Sequence, residues 1–411
     1  METSRERIME VIQDLSRLTD TPGEGVTRFS YGELDRKARD YIVGKMKEMG
    51  LTVTVDPVGN LRGRWEGKHP QRPPMLVGSH LDSVRCGGPY DGITGVACAL
   101  EAVRTLMGRG KEPQRPVEVI VFAEEEGSNF GTTMVGSKAL VGKLGKDGLH
   151  FLHTPQGETA FDKMKAFGLH PEQVEEHALH PGDIHGMVEL HVEQGAVLWQ
   201  EGKTIGVVED IAGMTTLRVT VKGDSNHAGA TPMGLRKDAL AAAGSIIGQI
   251  PQLTENTVSP HTVATVGSIQ CFPNMPNVIP GQVEFTVDIR DSVQAGIDQV
   301  VERLTQKLGE LADARQMEVK WEIVGRSDCI HLNEEITGII EEEAREMAVS
   351  YKRLPSGAVH DAALMSSITR AGMIFVPSVK GKSHCPEEYT PEEEIQVGCD
   401  LLVRVIDRLT C

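Results

Sequence analysis

The sequence predicts an α/β protein: a mixed, largely parallel central sheet flanked by helices and interrupted by a smaller inserted α+β domain. Three observations predict it. The apolar strand PMLVGSH is followed by an Ala/Val/Leu-rich helix at 93–107 and a second apolar strand at 117–123. Strands that are apolar on both faces belong to sheets covered on both sides. From residue 214 the pattern changes to strands and helices in the order β-α-β-β-α-β, the ferredoxin-like split βαβ unit. After it the chain returns to helices around one more apolar strand, MIFVPS. At 411 residues the chain also exceeds one ordinary core, so two domains are expected.

The elements follow in order. Residues 4–18 and 31–49 read as helices, the second with Ile42, Met46 and Met49 in its apolar stripe. LTVTVD and NLRGRWEG read as short strands joined at the turn signal Gly59-Asn60. Residues 140–185 are rich in glycine, histidine and charge, and predict loops with one short helix near 158–167. MVELHVEQG is the next strand, and TIGVVEDIAG follows it. In the inserted part LRVTVKG, 262–270, 282–290 and 317–324 read as strands, and 236–250 and 293–315 as helices. Helices are expected at 333–347, 361–370 and 391–410. The expected domains are 1–212 with 328–411, and 213–327.

Bulk properties narrow the function. Hydrophobic residues make up 39% and charged residues 25%, as in soluble globular proteins. A net charge of −17 argues against nucleic-acid binding and leaves any anion site dependent on a local basic group. No apolar run reaches the length of a membrane span, and the charged N-terminal helix lacks a signal-peptide apolar region. Seven scattered cysteines without a Cys-x-x-Cys pattern predict a reduced, cytoplasmic chain. Cys86 and Cys385 lie near the motifs below and are expected to be bystanders.

The chemistry-bearing residues sit at strand ends, where open α/β sheets place their ligands. His80 ends an apolar strand, Asp82 follows two residues later, and Asp91 follows a Gly87-Gly88 turn. Alone, this His-x-Asp reads first as a satisfied histidine at a strand end. Glu124, Glu125 and Glu126 crowd the end of the next strand and need a cation or raised pKa values; a solvated acidic turn is the simpler alternative. In ELHVEQG, alternation puts Glu189, His191 and Glu193 on one face. His384 follows the last apolar strand, and His227 lies in the inserted domain. Imidazoles and carboxylates are the catalytic ligand set of Zn²⁺ or Mn²⁺. Five ligands exceed what one open catalytic metal needs and suit two metals sharing a carboxylate, with a spare carboxylate as general base.

GSHLDSV, YDGITG, AEEEGSNF, ELHVEQG, SNHAGATPM, PNVIPG, FTVDIRD, SGAVHDA and GKSHCPEE occur in this order. With them the chain resembles the carbamoylase/allantoate amidohydrolase branch of the M20 family of metallopeptidases and amidases, over essentially its whole length. The resemblance implies a two-metal catalytic domain and a ferredoxin-like lid that dimerises. It implies one metal on His80, Asp91 and His191, and the other on Asp91, Glu126 and His384, with Zn²⁺ foremost and Mn²⁺, Co²⁺ or Ni²⁺ as alternatives. Glu125 would be the general base and Asp82 would orient His80, leaving Glu124 outside the site. His227 would reach the partner subunit's active site as an oxyanion donor. Asn277 and Arg290 would clamp a substrate carboxylate, a task suited to the Arg fork; an ion pair of Arg290 with Asp288 or Asp291 is the plainer alternative. Gln194, Ser356, Gly357 and His360 would line the pocket, although His360-Asp361 also fits a helix N-terminus.

The implied reaction is hydrolysis of the ureido C–N bond of a small anionic substrate, an N-carbamoyl-L-amino acid, with release of ammonia, CO₂ and the amino acid. Allantoate is the alternative; relatives acting on it place arginines after the hinge glycine, where this chain has Met214-Thr215-Thr216. N-carbamoyl-β-alanine is a further one. A peptidase of the same fold is disfavoured by the short His80–Asp91 spacing and by His191, where peptidases more often use a carboxylate. A metal-free binding protein is disfavoured because all five ligands and Glu125 are present.

Overall fold

The computed structural model describes residues 2–411. Two compact units emerge: one comprises the chain up to Glu209 with Leu332–Leu354 and His360–Cys411, the other Asp210–His331 with Pro355–Val359. The strands are β1 (Thr52–Val55), β2 (Leu61–Trp65), β3 (Met75–His80), β4 (Val117–Phe122), β5 (Gly186–Val192) and β6 (Ile205–Ile211), then β7 (Gly213–Lys222), β8 (Asn226–His227), β9 (Val263–Phe272), β10 (Val278–Ile279), β11 (Gln282–Asp291) and β12 (Glu318–Ser327), and finally β13 (Ile330–His331), β14 (Tyr351–Ser356) and β15 (Ala371–Val376).

The first unit is built on a mixed sheet whose order runs β1-β2-β4-β3-β5-β15-β6. Its centre is parallel: β3 pairs with β4 and β5, and β15 with β5. Every residue of β3, β4, β5 and β15 is buried, as strands covered on both faces must be. Helices α1 (Arg5–Ser16), α2 (Glu33–Glu48) and α3 (Ile93–Gly108), with the helices Glu334–Glu346 and Glu392–Thr410, supply the cover. α1 is started by Ser4, whose hydroxyl accepts the Arg7 N–H, and buries Ile8, Met9, Val11, Ile12 and Leu15. α3 is buried along nearly its whole length and packs against both the sheet and Glu392–Thr410. Because the four central strands run the same way, their C-terminal ends line up along one edge, and the functional loops leave from there.

Four local expectations need correction. Residues 140–185 are more ordered than their polarity suggests. Short helices at Val135–Leu140, Lys146–Phe151 and Ala160–Ala166 and a 3₁₀ segment at Pro171–His177 share a small core of Val135, Leu149, Phe161, Met164 and Val174. The helix expected at 361–370 stops at Met365; the Ser366 and Ser367 hydroxyls bond back to the carbonyls of Ala363 and Leu364 as the chain turns toward β15. The helix expected at 236–250 starts at Ala239, where the Asp238 carboxylate accepts the N–H groups of Leu240 and Ala241. It ends at Ile247, and Ile250–Leu253 forms a separate turn with Pro251 near its start. Strand β14 was not expected at all.

The second unit is a four-stranded antiparallel sheet of order β12-β7-β11-β9. Strict alternation along β11 turns Val283, Phe285, Val287 and Ile289 inward. They meet Leu217, Val219 and Val221 of β7 and the helices Ala239–Ile247 and Gln294–Arg315 in a separate core. Strand and helix order together give the β-α-β-β-α-β unit. Among the described residues no helix is long and apolar enough to cross a membrane.

Candidate metal centre

Three strand ends, one helix start and one loop of the first unit bring the candidate ligands together. His80 is the last residue of β3, His191 lies one residue before the end of β5, and Glu125 and Glu126 follow β4. Asp91 sits at the start of α3 and His384 in the loop after β15. His80, Asp91 and His191 offer ligand atoms within 4.8 Å of one another, as do Asp91, Glu126 and His384. Asp91 belongs to both groups and divides its oxygens between them. Oδ1 lies 3.5 Å from His80 Nε2 and 3.2 Å from His191 Nε2, while Oδ2 lies 3.3 Å from His384 Nε2.

The backbone selects the tautomers. His80 Nδ1 is 3.0 Å from the Asp82 carbonyl and His191 Nδ1 is 2.8 Å from the Val192 carbonyl. A carbonyl only accepts, so in each ring Nδ1 carries the hydrogen and, in the neutral ring, Nε2 presents a lone pair toward Asp91. Gly92 at the N-cap of α3 permits this approach. Its φ is +66°, and a Cβ there would lie 2.4 Å from the His80 ring.

Asp82 acts differently from the expectation. β3 ends at His80, so Asp82 is outside the strand, and its carboxylate is 3.7 Å from His80 Nδ1. Its oxygens instead accept the N–H groups of Glu125 (3.2 Å) and Glu126 (3.0 Å). The Asp82 carbonyl holds the histidine, and its side chain holds the turn that carries the two glutamates. Glu193 also departs from the shared face: it lies past the end of β5 and accepts the N–H groups of Val197 and Leu198 at a helix start.

The electrostatics describe a site crowded with negative charge. Burial and the neighbouring Asp91 push Glu126 up to about 7, and its Oε1 is buried without a hydrogen-bond partner. Burial also raises Glu125 well above the usual carboxylate range, assisted by Asp361 and Glu126; its Oε2 is 3.9 Å from His80 Nε2. Burial alone would raise Asp91, but the rings of His191, His384 and His80 hold it well below that range. The hydrogen bond with Asp91 raises His384 to about 9. Glu124 stands apart, accepting N–H groups from the Asn129 backbone and side chain, and burial lifts it to about 8.

Of the pocket candidates, Gln194 joins the centre: its Nε2 is 2.7 Å from Asp91 Oδ2. His360 packs edge-on against His191, with ring centroids 4.6 Å apart, and occupies the N-cap position of Asp361–Met365. His227, Asn277, Arg290, Ser356 and Gly357 belong to the second unit. There His227 is exposed and its Nδ1 accepts the N–H groups of Gly229 and Ala230, which leaves Nε2 as the donor. Arg290 Nε donates to Asp288 at 2.7 Å. Cys86 and Cys385 join neither ligand group.

Sequence reasoning named Glu189 and Asp361 without giving them a role in this centre and passed over Glu388 and Arg28. Glu189 accepts the Ser79 hydroxyl (2.8 Å) and the Ala362 N–H (3.0 Å), and it forms a third acid–histidine group with His191 and His360. Asp361 accepts the Ser137 hydroxyl. Glu388 accepts the N–H of Asp91. Arg28, fully buried, donates to the carbonyls of Leu15, Leu18 and Leu81. Glu189 and Glu388 lie inside quoted motifs and carried a signal; a lone arginine in a polar segment carries none.

The donor set fits divalent cations. Nitrogen and oxygen ligands converge from five segments, one carboxylate faces both groups, and a carboxylate oxygen of Glu126 is buried without a partner.

Comparison with known proteins agrees in extent and fold. Residues 76–408 match the family described as peptidase family M20/M25/M40. An N-carbamoyl-L-amino-acid amidohydrolase of Paenarthrobacter aurescens is 37% identical over 404 residues, 98% of each chain. An allantoate amidohydrolase of Escherichia coli (strain K12) is 34% identical over 412 residues, again 98% of each. The crystal structure of an amidase of the hydantoinase/carbamoylase family from Burkholderia multivorans superposes with a TM-score of 0.92 at 33% identity, covering 100% of this chain and 98% of that one.

Proposed function

The chain belongs to peptidase family M20/M25/M40, and as a metal-dependent amidohydrolase of that family we propose that it hydrolyses the ureido C–N bond of an N-carbamoyl-L-amino acid, releasing ammonia, CO₂ and the amino acid. The observation that carries this reading is the pair of acid–histidine groups sharing Asp91, with Glu125 beside them.

We assign one cation to His80, Asp91 and His191 and a second to Asp91, Glu126 and His384. Geometry supports the count. Asp82, Asp91, Glu125 and Glu126 converge as buried or nearly buried carboxylates whose ion-pair partners are histidines. Asp91 faces both histidine groups, so a pair of cations would share it. When bound, such ions polarise the scissile carbonyl and ease ionisation of water. Zn²⁺ is the first candidate and Mn²⁺ the second.

Glu125 moves the proton. Its carboxylate receives it from the attacking water and delivers it to the departing nitrogen. Burial raises this carboxylate well above its usual range, which favours its holding the proton between the two transfers. Asp82 fixes Glu125 by its backbone N–H, so the acceptor is oriented before substrate arrives. His227 of a second copy serves as oxyanion donor through Nε2, and Asn277 and Arg290 receive the substrate carboxylate. The second unit is thus read as lid and dimerisation domain; the oligomer is a homodimer, tested by sedimentation.

Hydrolysis of allantoate is the second reading. A specific feature of the second unit favours the first. Arg290 pairs across the sheet with Met214, and Asp288 with Thr216. These positions set a methionine opposite Arg290 and a threonine opposite Asp288, and neither is a second cation for a second ureido arm.

The test is ammonia release from several N-carbamoyl-L-amino acids, allantoate and N-carbamoyl-β-alanine, with Zn²⁺, Mn²⁺ or Co²⁺. Fastest turnover of the N-carbamoyl-L-amino acids, lost on chelation and restored by cation, is expected. Preference for allantoate moves the assignment to the second reading, and no ammonia from any of them overturns both.

A further inference from the structure

Glu388 lies beyond the ligands yet touches the loops of two of them. It is 3% exposed. Its Oε2 accepts the backbone N–H of Tyr90 (2.8 Å) and of Asp91 (3.1 Å). Its Oε1 accepts the Ser383 hydroxyl (2.7 Å), whose oxygen is also 3.1 Å from Asp91 Oδ2. Ser383 immediately precedes His384. The loop that carries Asp91 and the loop that carries His384 are therefore tied through one carboxylate and one hydroxyl.

Gly88 makes room for that tie. A Cβ at Gly88 would lie 2.2 Å from both Cβ and Oε2 of Glu388. A buried carboxylate next to Asp91 is repelled by it, so three accepted hydrogen bonds are needed to hold it there.

The two ligand groups depend on this tie unequally. His80 and His191 are strand residues, held by β3 and β5 and by the carbonyls of Asp82 and Val192. His384 has no such frame: it sits in a loop at φ +56° with its side chain 48% exposed.

We propose that Glu388, acting through Ser383 and the Asp91 backbone, is a positioning residue that couples the two ligand groups and sets the affinity of the Asp91–Glu126–His384 subsite. The proposal rests on the two-cation reading above. Loss of Glu388 leaves two buried N–H groups unpaired, releases Ser383, and disorients two of that subsite's three ligands. The His80–Asp91–His191 subsite keeps both histidines in place.

The experiment is equilibrium dialysis of metal-free wild-type, Glu388→Leu and Gly88→Ala proteins against Mn²⁺ or Zn²⁺ alone, with bound metal counted by elemental analysis. Far-UV circular dichroism checks each fold. Gly88→Ala displaces the Glu388 side chain without removing its charge, so it stands in if Glu388→Leu fails to fold. Wild type is expected to take up two equivalents. Both variants are expected to bind the second equivalent about 10–100-fold more weakly, the usual effect of losing a hydrogen-bond partner of a ligand, and the first, which shares Asp91 but keeps its two strand histidines, with a clearly smaller loss. A second equivalent as tight as wild type in both variants overturns the proposal. So does equal weakening of both equivalents, which would make Glu388 a general prop of the site. If wild type itself takes up fewer than two equivalents, the two-cation reading falls and the coupling with it.

Discussion

At the scale of single residues, the centre is organised by groups that never touch substrate. Two main-chain carbonyls decide which nitrogen of His80 and His191 faces Asp91. The Asp82 carboxylate fixes two backbone N–H groups rather than the ring it was expected to orient. That error has a clear origin: alternation applies within a strand, and the strand ends at His80. Glu125 is the residue on which the proposed chemistry turns. Glu125→Gln keeps size and shape but removes the proton acceptor. Its kcat should fall by about 10²–10⁴-fold while bound metal, counted on the same sample, stays at the wild-type level. Arg28 shows the opposite limit of legibility. Nothing in the sequence marks it, yet it is fully buried and its guanidinium is held by the carbonyls of Leu15, Leu18 and Leu81, beside the turn from His80 to Asp82. Burial lowers it to about 10, so it remains charged at neutral pH. Arg28→Met would leave those carbonyls buried and unpaired. Urea unfolding of the metal-free protein should show a loss of about 3 kcal/mol.

At the scale of elements, what could be read ahead was whatever burial imposes on pattern. The four fully buried central strands appear in the sequence as apolar runs, and the alternation of β11 marks its inward face. What could not be read was order maintained by polar contacts or by elements too short to have a period. The helices between Val135 and Ala166 are six or seven residues long, and β14 is spelled YKRLPS, with two cations and a proline. The candidate site followed the same division. The ligands stand at the ends of legible strands, whereas Glu388 and Asp361 act through contacts between distant segments that spacing does not encode. One junction depends on both kinds of information. Gly92 ends the turn after Asp91, starts α3 and lies against the His80 ring. Gly92→Ala forces a side chain into a left-handed conformation and into that ring. It should cost about 1–3 kcal/mol of stability and weaken metal uptake together, measured by thermal unfolding and metal analysis of one preparation. Stability lost with metal uptake unchanged would mean that the ring does not need that space.

At the scale of the whole molecule, the net charge of −17 has a local counterpart in the first unit, where acidic groups are concentrated under little solvent. Cations relieve this crowding, and so do protons, and the two compete for the same atoms. In the metal-free protein Glu126 holds its proton up to about 7 and His384 up to about 9. A ligand must be deprotonated to bind a metal, so at neutral pH each cation that enters expels hydrogen ions. Apparent metal affinity should therefore rise as the pH climbs through 7 toward 9, and fall as it drops. Calorimetric titrations with Mn²⁺ in buffers of different ionisation enthalpy should give heats that differ in proportion to the protons released; identical heats would refute the exchange. The Asp91 carboxylate, shared by both groups, then has a meaning beyond architecture. Itself kept ionised by the histidines, it would pair either with a protonated His384 ring or with a cation, so the acidity of the surroundings would set how much of the protein is loaded at any moment.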